Sequence, residues 1–246
     1  MSINASEKPL SKVFTSDYRF AIPSFQRSYS WHPEQMRQLI NDVIDACAVQ
    51  DSSYFLGSLI LVRDEHGIHQ VIDGQQRLVS LSILFSVLLA LEDDSQLAHS
   101  LEGLLVESGD KLRGIETEPR LRLREQDEEF FREYVQQGDL EALFDLREND
   151  IQTQAQRNIR DNAQCAYDIL ASMKVEERRV FASYLVNNVF FVIVTTGDIS
   201  GAYRIFDVMN MRGLPLTPSD VFKPNVGSGI SPAARDASAP YWDDPM

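Results

Sequence analysis

Hydrophobic residues recur along this chain at two different spacings, which predicts both helices and strands. Over residues 33–50 the apolar positions follow helical spacing, and Pro33 suits the first turn of a helix. Two apolar runs follow at 54–62 and 68–72, and the Asp-Glu-His-Gly turn between them predicts a β-hairpin. The next segment, 75–92, is apolar nearly all round, which predicts a buried helix.

The second half of the chain is richer in charge. Residues 93–187 are charged and helix-forming and are interrupted by glycines, a pattern that predicts several helices. Residues 189–196 predict a returning strand, followed by a helix that Ser200 caps and that ends at Asn210. We therefore predict a mixed α/β (α+β) fold with four regions: a core at 1–92, a helical subdomain at 93–187, completing elements at 188–226 and a disordered tail at 227–246.

Composition narrows the functional classes. The 246 residues carry a formal net charge of -14, which argues against a generally basic surface for nucleic acid. Only two cysteines occur, so we expect a reducing compartment without a disulfide framework. No signal peptide is visible, and the longest apolar run is too short to span a bilayer. We expect a cytoplasmic protein without a membrane segment.

The segment Asp73-Gly74-Gln75-Gln76-Arg77 carries the strongest local signal for chemistry. It lies between the second hairpin strand and the buried helix. A glycine lets the backbone approach a ligand closely, and a helix N-terminus attracts anions. Asp73 and Gln76 also have the spacing of a capping box. The residues leave two interpretations open, a capped helix with a surface arginine or a phosphate-binding turn.

Two other polar clusters accompany this turn. Gln26 and Arg27 lie among aromatic residues that can stack on a base or wall off a pocket, or can join the core at a proline-rich turn. Near the end of the chain, two cations, a carboxylate and an amide surround a tight turn. Such a set suits phosphate and Mg²⁺, although a plain helix–turn–helix connection also accounts for it: Asn210, Arg212, Asp220 and Lys223.

Weaker clusters predict surface structure. His66 and His69 straddle the hairpin turn with no third ligand nearby, so we predict no metal site there and name no metal ligands in the chain. An arginine-rich segment alternates with glutamates and predicts a solvated mixed surface, or else a nucleic-acid rim: Arg113, Arg120, Arg122 and Arg124. No P-loop motif is present.

The order of the three clusters resembles a known family. The run Ile-Pro-Ser-Phe-Gln-Arg-Ser-Tyr-Ser-Trp, then Tyr-Phe-Leu-Gly-Ser, then Val-Ile-Asp-Gly-Gln-Gln-Arg-Leu is similar to the N-terminal domain of GmrSD-type restriction proteins. That domain also occurs in SspE-type phosphorothioate-dependent defence proteins. The likeness continues to Ile-Phe-Asp-Val-Met-Asn-Met-Arg-Gly and Leu-Thr-Pro-Ser-Asp, and it covers about residues 10–223.

This resemblance implies a ParB/sulfiredoxin-like α/β core with added helices, which binds and hydrolyses a nucleoside triphosphate (GTP, UTP or ATP, with Mg²⁺) and senses modified phage DNA. Arginines would neutralise phosphates, Asp73 would position Mg²⁺ or water, and a glutamine amide would orient the attacking water. The implied catalytic residues are Asp73, Gln75, Gln76 and Arg77, and the implied nucleotide-binding residues are Gln26, Arg27, Gly74, Asn210, Arg212, Asp220 and Lys223.

The chain departs from the family after Lys223. Pro224 follows at once, and all four histidines lie within the first 100 residues, so no His-Asn-His nuclease constellation is present. We expect an NTP-hydrolysing sensor whose nuclease is a missing C-terminal domain or a separate subunit, in a chain that can form an oligomer. The alternative is a non-catalytic DNA- or protein-binding module of the same fold.

Overall fold

A mixed six-stranded sheet forms the centre of the protein. The computed structural model describes residues 3–49, 53–109 and 117–211. Within them the strands are β1 (Asn4–Pro9), β2 (Phe20–Ala21), β3 (Tyr54–Arg63), β4 (His69–Asp73), β5 (Val106–Glu107), β6 (Glu118–Pro119), β7 (Leu121–Arg122) and β8 (Val189–Thr196). Six of them form the sheet in the order β1-β8-β3-β4-β2-β7, and β5 pairs with β6 separately. In the sheet, β8 and β3 run parallel, whereas β3 and β4 are the predicted antiparallel hairpin.

Helices account for most of the remaining described chain. They are α1 (Leu10–Val13), α2 (Pro33–Ala48), α3 (Gln75–Ala90), α4 (Ser95–Leu105), α5 (Glu125–Phe131), α6 (Leu140–Asp145), α7 (Gln154–Ala171), α8 (Val175–Asn188) and α9 (Ile199–Met211). A π-helical turn at Arg132–Gln136 extends α5, and a 3-10 turn occupies Glu148–Asp150. The predicted mixed α/β class is confirmed. Among the described residues, no helix has the length and apolar character needed to cross a membrane.

The stretch of β3 at residues 59–62 is buried on both faces, which explains its run of apolar residues. Side chains of a strand alternate between the two faces of the sheet. Leu59 and Leu61 join the main core with α2, α3 and α7, whereas Ile60 and Val62 pack in a second, smaller cluster with Ala202 of α9. The sheet is therefore covered by a thick helical layer on one face and by α9 on the other.

The turn from β4 into α3 takes a single residue. Gly74 has φ 98° and is the N-cap of α3, so its backbone is in the left-handed region that favours glycine. A Cβ there would lie 2.2 Å from Leu59 Cδ2 and 3.2 Å from the Ser58 carbonyl oxygen. The predicted capping box of Asp73 and Gln76 is wrong, because no side chain caps the helix and both residues bond elsewhere.

Other predictions from the sequence have mixed outcomes. The strand at 189–196 and the helices within 93–187 are confirmed. Helix α9 begins at Ile199, and Asp198 rather than Ser200 caps it, since its Oδ1 accepts the Gly201 N–H at 2.7 Å. Strand β1 and helix α1 are elements that the sequence pattern did not indicate. The domain boundaries at residues 92 and 187 stay predictions, and the predicted tail at 227–246 lies outside the described residues.

His69 gives the fold a pH dependence. It is buried against Tyr18 and its Nδ1 has no hydrogen-bond partner. Burial, together with Arg63, lowers the pKa of His69 from its usual value, against a smaller opposing effect of Asp64. A lowered pKa means that the neutral form stabilises the fold, and this stability is lost as the pH falls from about 6.5.

We predict that His69→Gln loses less stability than the wild type when the pH falls from 7 to 5. The measurement is the free energy of unfolding in urea at each pH. The wild type loses more over this range, because its buried imidazole has to take up a proton. Exposed His66 provides the matched control, and His66→Gln should follow the wild-type curve. Parallel curves for all three proteins would contradict this explanation.

We predict that Gly74→Ala destabilises the protein more than Gly138→Ala does. Both glycines have positive φ, so each substitution costs about 1–2 kcal/mol of backbone strain. At Gly138 a Cβ would meet no atom of the described residues within 4 Å, whereas at Gly74 it would overlap Leu59, which adds about 1–3 kcal/mol. Urea unfolding measures the difference. Equal losses would show that the turn tolerates a side chain.

Candidate functional site

A cleft of about 540 Å³ opens where β4 meets α3. Three parts of the chain line it: the loop after β2, the turn at Gly74, and α9. Its volume is in the range of small-molecule sites, about 300–1,000 Å³. The lining residues are Phe25, Gln26, Arg27, Trp31, Ile72, Asp73, Gly74, Gln75, Gln76, Arg77, Tyr203 and Phe206.

The loop of residues 25–31 is held to the start of α3 by the buried amide of Gln76. Gln76 Oε1 accepts the Ser30 N–H at 2.8 Å and the Trp31 N–H at 3.2 Å, and Gln76 Nε2 donates to the Ser28 carbonyl at 3.1 Å. Gln26 adds a bond to the sheet, because its Nε2 donates to the Ile72 carbonyl at 2.8 Å. Gln76 is therefore a structural tie, since its amide oxygen and one amide N–H are bonded to the loop.

Helices from the charged middle segment hold the same loop from behind. Asn158 and Asn162 of α7 donate to the carbonyls of Tyr29 and Trp31, at 3.2 and 2.7 Å. Arg124, immediately before α5, donates to Ser28 Oγ at 2.8 Å. The loop thus has side-chain anchors on three separate parts of the chain, which fixes its position relative to α3.

The arginine cluster that predicted a solvated surface is partly buried, so that prediction is wrong for two of its members. Arg124 also pairs with the buried carboxylate of Asp127 at 3.2 Å, and Arg120 is buried with Nε donating to the Gly103 carbonyl at 2.7 Å. Arg122 pairs with Glu118 at the surface. Arg113 lies outside the described residues.

Arg77 is committed to contacts within the protein. Its Nη2 pairs with Asp73 Oδ2 at 3.2 Å, its Nη1 donates to the Leu56 carbonyl at 3.3 Å, and its guanidinium lies 5.8 Å from the Phe191 ring centroid. A Cβ on Gly57 would fall 1.7 Å from Nη1, so the side chain passes directly over that glycine. Burial lowers the pKa of Arg77, and Asp73 opposes this shift.

The groups that remain available to a ligand are Arg27, Gln75 and the helix start. Arg27 is exposed and has no ion pair within the described residues. In that same part of the chain the Gln75 side chain makes no hydrogen bond, although it lines the cleft. The first backbone N–H groups of α3 have no intrahelical partner. This end of the cleft therefore offers positive charge and free donors, whereas Asp73 and Arg77 largely neutralise each other.

The opposite rim is aromatic. Phe25 and Tyr203 are 55% and 40% exposed, and their ring centroids are 6.3 Å apart. Phe206, one turn beyond Tyr203 on α9, also lines the cleft. Sequence reasoning had no role for the two α9 aromatics, although their spacing of three residues puts them on one helix face.

Seven of the eleven predicted site residues come together in this cleft: Gln26, Arg27, Asp73, Gly74, Gln75, Gln76 and Arg77. Asn210 belongs to the last turn of α9, and its side chain is outside the described part of the chain. Arg212, Asp220 and Lys223 also lie outside the described residues. The roles predicted for all eleven stay predictions.

The residues present fit a magnesium ion only if phosphates supply most of its ligands. In the described ranges no three His, Cys, Asp or Glu side chains form a metal-binding group. Asp73, however, uses one carboxylate oxygen for Arg77 and offers the other at the cleft. Mg²⁺ commonly takes one or two protein carboxylates together with substrate phosphates and water.

The comparison with known proteins agrees with this arrangement of motifs. The family model described as GmrSD restriction endonuclease, N-terminal domain, matches residues 10–226, which is most of the chain. A search of curated proteins found no significant match. The matched range includes the loop, the turn and α9 that line the cleft. The chain therefore belongs to the family of GmrSD restriction endonuclease N-terminal domains, which gives it a role in a restriction system.

Proposed function

We propose that the chain binds a nucleoside triphosphate in the cleft and hydrolyses it, as the sensor of a restriction system that acts on modified DNA. One observation carries this proposal: exposed Arg27, free of an ion pair in the described residues, faces the same cleft as the first turn of α3. A cation beside free backbone N–H groups is a suitable arrangement for phosphate oxygens.

Phosphate binding would use the loop and the turn together. Arg27 would contact the terminal phosphates, and the N–H groups that begin α3 would bind further oxygens, because Gly74 allows close backbone approach. Arg77 would contribute mainly by holding Asp73 in place, since its own charge is already paired. A magnesium ion, when bound, would neutralise part of the phosphate charge.

Hydrolysis would be an in-line attack of water on the γ-phosphorus. The bond from the water oxygen to phosphorus forms while the bond to the β–γ bridging oxygen breaks, which releases a nucleoside diphosphate and phosphate. The phosphate keeps one of the water's two protons and the other passes to solvent. The free amide of Gln75 would orient the water, and Arg27 would stabilise charge on the transferred group. Gln76 would instead hold the loop, to which its amide oxygen and one amide N–H are bonded.

DNA cleavage would be carried out by another component. The matched family model is an N-terminal domain of restriction endonucleases, and the chain's four histidines do not form a nuclease motif. We propose that the nuclease is a separate subunit or a further domain. The chain would then report nucleotide state or DNA modification to it.

A second candidate is binding without hydrolysis. It is favoured by the internal bonds of Arg77 and Gln76, which engage two of the four predicted catalytic residues in holding the fold. In that case nucleotide would bind without phosphate release, or modified duplex would bind without nucleotide. Duplex binding would weaken as salt rises, and the net charge of -14 favours a protein partner over DNA.

Arg27→Ala should weaken binding of ATP, GTP and UTP about 10- to 150-fold, because a hydrogen bond to a charged group contributes about 1.5–3 kcal/mol. Calorimetry on the full chain with Mg²⁺ measures the dissociation constants. Arg19 is also exposed but does not line the cleft, so Arg19→Ala is the matched control. Unchanged affinity in Arg27→Ala, or no nucleotide binding by the wild type, would refute the proposal.

We predict that substitutions of the neighbouring residues Gln75 and Gln76 affect different properties, phosphate release for Gln75 and stability for Gln76. Gln76→Met removes the hydrogen bonds to Ser28, Ser30 and Trp31 and leaves loop groups unpaired, so we expect a loss of about 1–3 kcal/mol or more in the free energy of unfolding. Gln75→Met should keep the stability and lower phosphate release on the order of a hundredfold. Phosphate release and urea unfolding are the two measurements. Normal turnover in Gln75→Met would exclude the proposed water-orienting role.

A further inference from the structure

We propose that Phe25 and Tyr203 form a base clamp at the mouth of the cleft, which holds the nucleobase of the ligand by stacking and does not select among bases. The inference rests on the proposed nucleotide site and specifies how its other end is used. Both residues line the cleft, one in the loop and one in α9.

The exposure of these two adjacent rings indicates that a ligand binds between or beside them. Single exposed apolar side chains are common on protein surfaces, but adjacent large ones beside a cleft indicate a binding site. Phe25 is 55% exposed and Tyr203 is 40% exposed, yet they lie next to each other with Phe206 and Ile72 behind them in the cleft. The apolar rim and the cationic end thus belong to one cleft.

The spacing of the rings is close to what a stacked base requires. Their centroids are 6.3 Å apart with planes tilted by 45°. Carbon atoms pack best at about 3.5–4.0 Å, so a flat base between two parallel rings needs about 7 Å. Turning the two exposed side chains towards parallel would open this gap, and one ring–ring contact would be replaced by two ring–base contacts.

The polar groups near the rim favour base-independent recognition. Selecting a base requires free donors and acceptors that match its edge. Gln26 is anchored to the Ile72 carbonyl through its Nε2 and Gln76 is bonded to the loop, whereas the free amide of Gln75 is assigned to the attacking water at the phosphate end. Every base has a π-face, so stacking accepts all of them. We therefore expect similar affinities for ATP, GTP and UTP, with purines slightly favoured by their larger rings.

The test compares nucleotides with inorganic tripolyphosphate, which has the phosphates and lacks the base. In a Trp242→Phe background, Trp31 is the remaining tryptophan of the chain and lines the cleft, so its fluorescence reports binding. The double variant Phe25→Ala, Tyr203→Ala should weaken nucleotide binding about 5- to 150-fold and leave tripolyphosphate binding unchanged.

Two controls complete the design. Val180 is 58% exposed and lies in another groove, between α2 and α8, so Val180→Ala should bind all ligands as the wild type does. The double variant Phe25→Tyr, Tyr203→Phe keeps two aromatic faces without adding a tryptophan and should retain nucleotide affinity, because stacking needs the ring and not the hydroxyl.

The outcomes separate the two proposals. If the wild type binds neither nucleotide nor tripolyphosphate, the proposed function itself fails. If the wild type binds nucleotide and the double variant Phe25→Ala, Tyr203→Ala binds it with the same affinity, the clamp is overturned while the nucleotide site stands. If the double variant Phe25→Ala, Tyr203→Ala loses affinity for nucleotide and for tripolyphosphate equally, the clamp is also overturned. That result would mean that the two rings shape the phosphate-binding end of the cleft.

Discussion

The site depends on one buried amide. Gln76, on the first turn of α3, bonds three backbone groups of a loop that has no regular secondary structure. Buried backbone groups need partners, and leaving one unpaired costs about 1–3 kcal/mol. The Gln76 side chain thus provides hydrogen bonds for loop backbone groups that a neighbouring strand would bond in a sheet. Because of that bond set, the loop that carries Arg27 lies beside the beginning of α3, and the cleft exists between them.

Helix geometry explains why adjacent residues of one short motif have different tasks. Successive side chains on an α-helix point about 100° apart, so Gln75, Gln76 and Arg77 face three directions. Gln76 points to the loop and Arg77 points to Asp73 and across Gly57. Gln75 is left facing the cleft. The density of polar residues in this turn therefore reflects architecture as much as chemistry, and Arg27 supplies the unpaired charge from elsewhere.

Local sequence patterns predicted the helices and strands, but they could not predict contacts between segments that are distant in the sequence. The hairpin, α3 and β8 follow from hydrophobic periodicity. The capping box did not form, because Arg77 takes the Asp73 carboxylate and the loop takes Gln76. The bonds of Arg124 and Asn158 to the loop span 96 and 129 residues, and no spacing rule connects positions so far apart. Ordered motifs identified the cleft residues, whereas the anchors behind them needed the fold.

The two walls of the cleft differ in how firmly they are attached. Moving the loop would break its bonds to Gln76, Asn158, Asn162 and Arg124, which are buried or partly buried. Helix α9 is attached mainly through apolar contacts of a small cluster around Ala202, and such contacts can slide without stranding a polar group. A ligand that enters between the rings of the aromatic rim would therefore displace α9 at lower cost than the loop. Since α9 leads directly to the segment that contains Arg212, Asp220 and Lys223, this wall is also the one connected to the remaining predicted ligand-binding residues.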